Sequence, residues 1–206
     1  MRQLMISFFM AICVFIFSGI ARSHSLNYGV KGGFTLSNLY IDTEDFDDEN
    51  ARIGIHAGLF SQAMLTGKFG IQPEFLFTHK GTEGNYNGLV NQTVNFNLSY
   101  IDIPILLVLR PIEIIEIHAG PHFGVLLNSN VKYSGFIDGE SKIDRDHLSS
   151  FDYGLTGGAG FNFGNLQAGI RYNLGLHKLA DSDRARVLLG DSKNSYGQLY
   201  LAIKFF

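Results

Sequence analysis

The stretch YGLTGGAGFNFG, residues 153 to 164, sets Gly154, Gly158 and Gly160 in a GxxxGxG spacing that can cradle a dinucleotide phosphate. Such a loop follows a buried strand, opens a helix and is answered by an acidic ribose ligand about 20 residues on. Here Asp152 and Tyr153 enter in strand alternation, FNF continues it, and GN turns the chain tightly into another strand. No helix begins. The three glycines share a strand face with Asp152, Thr156 and Asn162, where they leave room for long side chains such as Arg171 on the paired neighbour.

His56, His118 and His122 fall on the predicted inner face of their strands, within reach of Glu74, Asp102 and Glu116. A serine beside such a pair would make a hydrolytic triad, as in the eight-stranded lipid A deacylases and palmitoyltransferases of the outer membrane. No serine stands out at the facing positions, so the histidines read as hydrogen-bonded lumen residues. His118 and His122 would pair as ligands on a helix, but along a strand four residues span about 13 Å, too far for one metal. The single cysteine, Cys13, lies in the apolar N-terminal segment, which leaves no thiol for a disulfide, a zinc site or a nucleophile in the rest. The stretch DTEDFDDEN carries six acids from Asp42 to Glu49 but lacks the glycine and spacing of an EF-hand loop, and it reads as a solvated acidic loop. Lys178, Arg184, Arg186 and Lys193 lie in a mixed-charge loop that could meet lipopolysaccharide phosphates or a partner protein. No catalytic residue, metal or cofactor is expected from these sets.

The elements that must carry these residues alternate with a period of two. Tyr28, Val30, Phe34 and Leu36 oppose Lys31, Thr35 and Ser37, and Ile53, Ile55, Ala57 and Leu59 oppose Arg52, Gly54, His56 and Gly58. Phe69, Ile71, Phe75 and Phe77 oppose Gln72, Glu74, Thr78 and Lys80. The same pattern recurs over 101–107, 116–126, 151–163, 166–174 and 198–205, which predicts eight strands of about ten residues, the length a tilted spanning strand needs. Val94, Phe96 and Leu98 are out of phase with Ile101 to Leu107, predicting a bulge near Ser99 and Tyr100. Short connections fall at 63–67, 109–115 and 164–165, and longer polar ones at 39–50, 81–93, 128–150 and 176–194. Short turns at one end and long loops at the other mark an outer-membrane barrel with both termini in the periplasm.

The direction of the apolar face follows from the glycines. A face exposed to water has no need of so many, whereas the lumen of an eight-stranded barrel barely fits side chains. The polar face therefore points inward, with a lumen network of Arg52, Glu74, Asp102, Glu116, His118, Asp152 and Arg171, and the large apolar set points to lipid. Composition agrees: 24 Gly, 18 Phe and 9 Tyr suit strands and tight turns, and a net charge of −3 gives no nucleic-acid-binding surface. Residues 1–21 read as a secretory signal peptide, with Arg2, an apolar run from Leu4 to Ile20, and small Gly19 and Ala21 before the cut; residues 22–206 form the barrel domain. Phe206 is a terminal aromatic of the kind barrel assembly machinery recognises. Lys204 stands where an apolar residue is usual, which leaves the facing of Phe206 open.

In GVKGGFTLSNL, QPEFLFTHKG, YIDIPILL, FDYGLTGGAGFNF and RYNLGL the chain resembles the PorT-type outer-membrane β-barrel family of the Bacteroidetes. The most specific stretches are Tyr100 to Leu107, with Pro104, and Arg171–Tyr172 to Gly175. The resemblance implies an outer-membrane barrel of eight strands in a Gram-negative cell, and the namesake member assists a type IX secretion system. The expectation is thus an all-β, eight-stranded antiparallel up-and-down transmembrane barrel, non-enzymatic, with a plugged lumen, acting through its extracellular loops or a partner complex. Its expected partners are outer-membrane lipids and lipopolysaccharide, the barrel assembly machinery during biogenesis, and an envelope protein; nucleic acid is not among them. The alternatives are a secreted lipocalin-like ligand-binding barrel, an outer-membrane lipid-modifying enzyme, and a pore, for which eight strands leave little room.

Overall fold

The computed structural model describes residues 25–39, 49–87, 91–135, 139–142, 151–178 and 193–205. The signal peptide expected at 1–21, acidic residues 42–48, Arg184, Arg186 and Phe206 lie outside the described residues.

Alternating sequence becomes strand throughout. The strands are β1 (Ser25–Leu39), β2 (Glu49–Met64), β3 (Phe69–Asn87), β4 (Asn91–Ile112), β5 (Ile115–Gly135), β6 (Gly139–Lys142), β7 (Phe151–Phe163), β8 (Leu166–Lys178) and β9 (Lys193–Phe205). Every pairing is antiparallel. Strand β1 pairs with both β2 and β9, and β4 with β5, so eight strands close on themselves while β6 is added to the far end of β5. Following the register around the wall from Asn27 through Gln62, Gln72, Leu106, Gly120, Thr156, Asn173 and Tyr196 returns to Ser37, ten residues further along β1. That stagger tilts the strands by roughly 35–45° and closes a barrel only wide enough for side chains to fill. No helix among the described residues is long and apolar enough to cross a membrane, which says nothing against crossing by strands.

Leu65–Lys68, Glu113–Ile114 and Gly164–Asn165 make the short turns at one end. Gly164 has φ of 62°, as the first central residue of a II′ hairpin turn requires, which any residue with a Cβ adopts at a cost. The GN pair therefore turns a hairpin, and the glycine-rich stretch before it is strand β7.

The wall is inverted relative to a soluble barrel. Ile53 is 71% exposed, Leu107 68%, Ile170 64% and Phe34 61%, while Lys31, Glu74, Asp102, Glu116 and Arg171 are all under 5%. The outward apolar positions of β4 run from Ile101 to Leu109, a rise of roughly 20 Å at that tilt, close to the apolar band of about 25 Å that a barrel presents to an outer membrane.

Two expectations need correction. The strands are longer than ten residues: β3, β4 and β5 reach 19, 22 and 21, absorbing most of 81–93 and the start of 128–150 that read as loop. The register shift opposite Ser99 and Tyr100 is present, but the extra residue lies on β5, where Ser99 pairs with Asn128 and Tyr100 with Leu126, leaving Leu127 over. Strand β4 keeps its phase against β3, so Leu98 joins Tyr100 on the inside, buried, instead of joining Ile101 on the outside. The phase break comes from a reversal of surroundings. Toward the long-loop end the interior becomes apolar at Leu98 and Leu126, and the outer face becomes polar at His79, Asn97, Ser99 and Asn128. A strand that leaves lipid for water must exchange the polarity of its two faces in this way.

Candidate functional site: the polar interior

The inward positions of the strands meet in stacked groups. In the middle of the barrel, Arg171 of β8 donates from both terminal nitrogens to Glu74 of β3, at 2.7 and 2.8 Å, and Lys31 of β1 donates to the same carboxylate at 2.6 Å. These side chains are at most 1% exposed. The planar guanidinium fork matches the carboxylate, which makes this the strongest polar contact type available to a buried pair. Arg171 Nε also faces His118 Nε2 at 3.3 Å, and Lys31 Nζ sits 4.2 Å from the ring centre of Tyr200.

A chain of amides leads from this centre to the short-turn end. Gln72 donates to Glu74 at 2.6 Å, Gln62 donates to Gln72 at 2.5 Å and to Glu116 at 3.1 Å, and Arg110 donates to both Glu116 (3.1 Å) and Gln62. Lys204 Nζ lies 4.0 Å from Glu116 and donates to Asn162 at 2.6 Å. This explains the lysine at the third-last position: Lys204 points into the barrel, and Phe205 carries the outward phase, its ring 6.3 Å from that of Tyr28.

Toward the long-loop end the motif of the centre is repeated. Lys80 bonds to Asp102 at 3.0 Å beneath the rings of Tyr100 and Tyr196, and Tyr196 donates to Asp102 at 3.0 Å. His122 Nδ1 meets Thr156 at 3.1 Å, and Thr156 donates to Asn173 at 2.6 Å. His118 and His122 on β5 lie beside Tyr200 and Tyr196 on β9, at 6.1 and 6.2 Å, so both layers bring a lysine, an acid, a histidine and a tyrosine together.

Of the seven residues expected in the lumen, Glu74, Arg171 and His118 are brought together at the centre, Glu116 belongs to the short-turn end, and Asp102 to the upper layer. Asp152 is buried beside it: Gly124 lies between the two, where a Cβ would come within 2.9 Å of Asp102 Oδ1 and 3.4 Å of the Asp152 Cβ. Arg52 sits half-buried near the far end of β2, opposite Ser37. Gln72 and Tyr200 lie on the inward face that the alternation assigns them but outside the expected network, and Gln62 and Tyr196 are buried without a face assigned from the sequence, because contacts across the lumen depend on the stagger rather than on spacing within a strand.

The glycines of β7 provide clearance, though only partly for the residue expected. A Cβ on Gly158 would run into the Ile170 carbonyl and lie 2.8 Å from His118 Nε2 and 3.0 Å from Arg171 Cα. On Gly154 it would run into the Leu174 carbonyl and meet His122 Cε1 at 2.6 Å, and on Gly160 the Tyr200 hydroxyl at 2.7 Å. Histidine and tyrosine rings, more than the arginine head, occupy the space.

One serine does stand beside a histidine on the outer wall, contrary to the sequence reading. Ser99 Oγ is 3.1 Å from His79 Nδ1. Among the described residues no carboxylate hydrogen-bonds His79, whose other close partner is the edge of Phe77 at 4.8 Å, so the orienting member of a triad is missing. Among the described residues, no group of three or more His, Cys, Asp or Glu is arranged to hold a metal ion.

A closed antiparallel barrel with an apolar outer wall and a charged, hydrogen-bonded interior is a β-barrel of the bacterial outer membrane. The model of the outer membrane protein beta-barrel domain family matches residues 17–181, and the chain belongs to that family. Among solved structures it is similar to Ail, the attachment invasion locus protein of Yersinia pestis (17% identity over 87% of this chain and 98% of that one, TM-score 0.49). It is also similar to OprG from Pseudomonas aeruginosa (13%, 90% and 99%, TM-score 0.46) and to Neisserial surface protein A (14%, 88% and 100%, TM-score 0.45). No curated relative matches the chain.

Proposed function

We propose that this protein is a non-enzymatic outer-membrane barrel whose lumen is plugged by its own side chains, and that it acts through its extracellular connections or in complex with an envelope protein. One observation carries the reading: Glu74 is clamped between Arg171 and Lys31, drawn from three different strands, at the centre of the lumen. Charges held in pairs across the middle of a narrow barrel serve rigidity, leaving recognition to the parts that project. Planar-bilayer recordings test the plug: the expected trace is silent, and stepwise conductance from the purified wild-type protein overturns it. Pull-down from detergent-solubilised envelope tests the second half. A partner captured by the full-length protein and lost when connections 40–48 and 179–192 are shortened supports it; identical capture with both shortened contradicts it.

A narrower form of the proposal makes the chain PorT-like, working beside a type IX secretion system. Its support is the resemblance in Tyr100 to Leu107 and Arg171 to Gly175. Deleting the gene should then reduce type IX cargo in the culture medium, and an unchanged secretome sets this form aside.

A further inference from the structure

The short-turn end of the barrel holds a cavity that the interior network does not fill. Its volume is about 380 Å³, within the range of small-ligand sites. Arg110 near the end of β4, Lys204 of β9, Asn27 of β1, and Asn162 and Asn165 around the Gly164 turn make its polar wall. Phe205 and Ile114 make an apolar one, and Glu113 stands at the rim. Short turns of outer-membrane barrels face the periplasm, so a ligand would enter from that compartment.

Two cations in this cavity share one acid. Arg110 donates to Glu116 and Gln62, and Lys204 Nζ lies 4.0 Å from the same carboxylate. The centre of the lumen has the same imbalance, Lys31 and Arg171 on Glu74, but those side chains are at most 1% exposed and out of a ligand's reach. Here the Arg110 side chain is 20% exposed and that of Lys204 10%. Donors are left over. Among the described residues Arg110 Nη1 makes no hydrogen bond, Lys204 Nζ makes one, to Asn162, and the side chains of Asn27 and Asn165 make none. Lys68, whose carbonyl accepts from the Arg110 amide, sets a third cation at this end against the two acids Glu113 and Glu116. The surplus of one positive charge matches a single carboxylate, which a guanidinium edge, an ammonium and amide donors bind well. Glu113 opposes a dianion such as phosphate, and its oxygens can accept a peptide N–H.

We infer that this cavity binds the carboxylate end of a periplasmic peptide. The carboxylate lies between Arg110 and Lys204 with Asn27 and Asn165 beside it, and the last side chain rests against Phe205 and Ile114. Protein C-termini and the stem peptides of the cell wall both present such an end. The site needs only a closed barrel with its short turns in the periplasm. A conducting lumen, or loops without a partner, would leave it standing.

The test uses the purified full-length protein in phosphatidylcholine nanodiscs, with binding read from the NMR shifts of the Gly164 and Phe205 amides. The probes are N-acetyl-Ala-Leu as the free acid, the same peptide as its C-terminal amide, and diacetyl-Lys-D-Ala-D-Ala as a mimic of the cell-wall stem. The free acid should bind at least about tenfold more tightly than the amide, the size of a hydrogen bond to a charged group. Tighter binding of the D-alanyl peptide supports the site with the cell wall as its source, and tighter binding of the L-peptide supports it with protein C-termini. Asn165→Asp keeps a residue that suits the turn after Gly164 and should weaken the acid about threefold, while Glu113→Gln should strengthen it by about as much. Both residues lie in turns outside the packed interior, so both variants should keep the heat-modifiable gel band. Equal binding of acid and amide overturns the inference. So does an affinity for the acid that neither variant changes, or inorganic phosphate that binds more tightly than the peptide acids.

Discussion

Replacing Glu74 with Gln removes the anion that two cations share. The carboxylate accepts two bonds from Arg171, one from Lys31 and one from Gln72, and the charged partners are at most 1% exposed. Breaking one partner out of a buried ion pair costs about 3–5 kcal/mol, because the other charge is left without compensation. Here two charges are left, so E74Q should lose about 5 kcal/mol, a large share of the 5–15 kcal/mol that typically separates folded from unfolded protein. The sequence holds no Trp, so urea titrations of folding into lipid vesicles are best followed by circular dichroism and by the heat-modifiable gel shift. A cycle with Arg171→Met identifies the cause: the loss from E74Q should shrink by at least about 2 kcal/mol once Arg171 is gone, since contacting charges do not behave additively. Losses below about 1 kcal/mol for E74Q, or strict additivity with R171M, would refute the claim that this clamp holds the interior together.

Other outcomes follow from single contacts. Gly158→Leu forces a side chain onto His118 and the Ile170 carbonyl and should abolish the heat-modifiable band, while Gly157→Leu, with nothing within 4 Å, should fold normally; a well-folded G158L would show that clearance is the wrong reason for the glycine. Tyr196→Phe removes a hydrogen bond to the Asp102 carboxylate and should cost about 1.5–3 kcal/mol in the same urea titration, and an effect near zero would mean that water replaces it. Gly164→Ala places a Cβ at a φ of 62° and should cost roughly 1–2 kcal/mol while leaving the fold intact; a stability equal to wild type would mean that the turn relaxes.

The barrel was legible in the sequence because alternation is local. Each strand declares its two faces by itself, and the glycines of β2, β5 and β7 told which face was crowded. What depends on the stagger was not legible. Lys31 and Arg171 converge on Glu74 only because closure brings β1, β3 and β8 to one level, and no spacing within a strand records that. The Asn-rich ends of β3 to β5 read as loop for a different reason. Past Ile101 the alternation persists with its polarity reversed, and a pattern expecting one phase reports a break, as it did between Leu98 and Ile101. Lys204 departs from the usual apolar residue at its position because its ammonium lies beside Asn162 and Glu116 inside the barrel.

The central claim is that the apolar face lies in lipid and the charged face inside. The only cysteine, Cys13, falls in the expected signal peptide, so single cysteines can be placed at will and spin-labelled in the folded protein in vesicles. Labels at Ile53, Leu107, Ile170 and Leu199 should relax strongly with dissolved oxygen and scarcely with a water-soluble nickel chelate, whereas a label at Thr156 should respond weakly to both. Strong relaxation of the four outward labels by the nickel chelate would place that face in water and contradict the account.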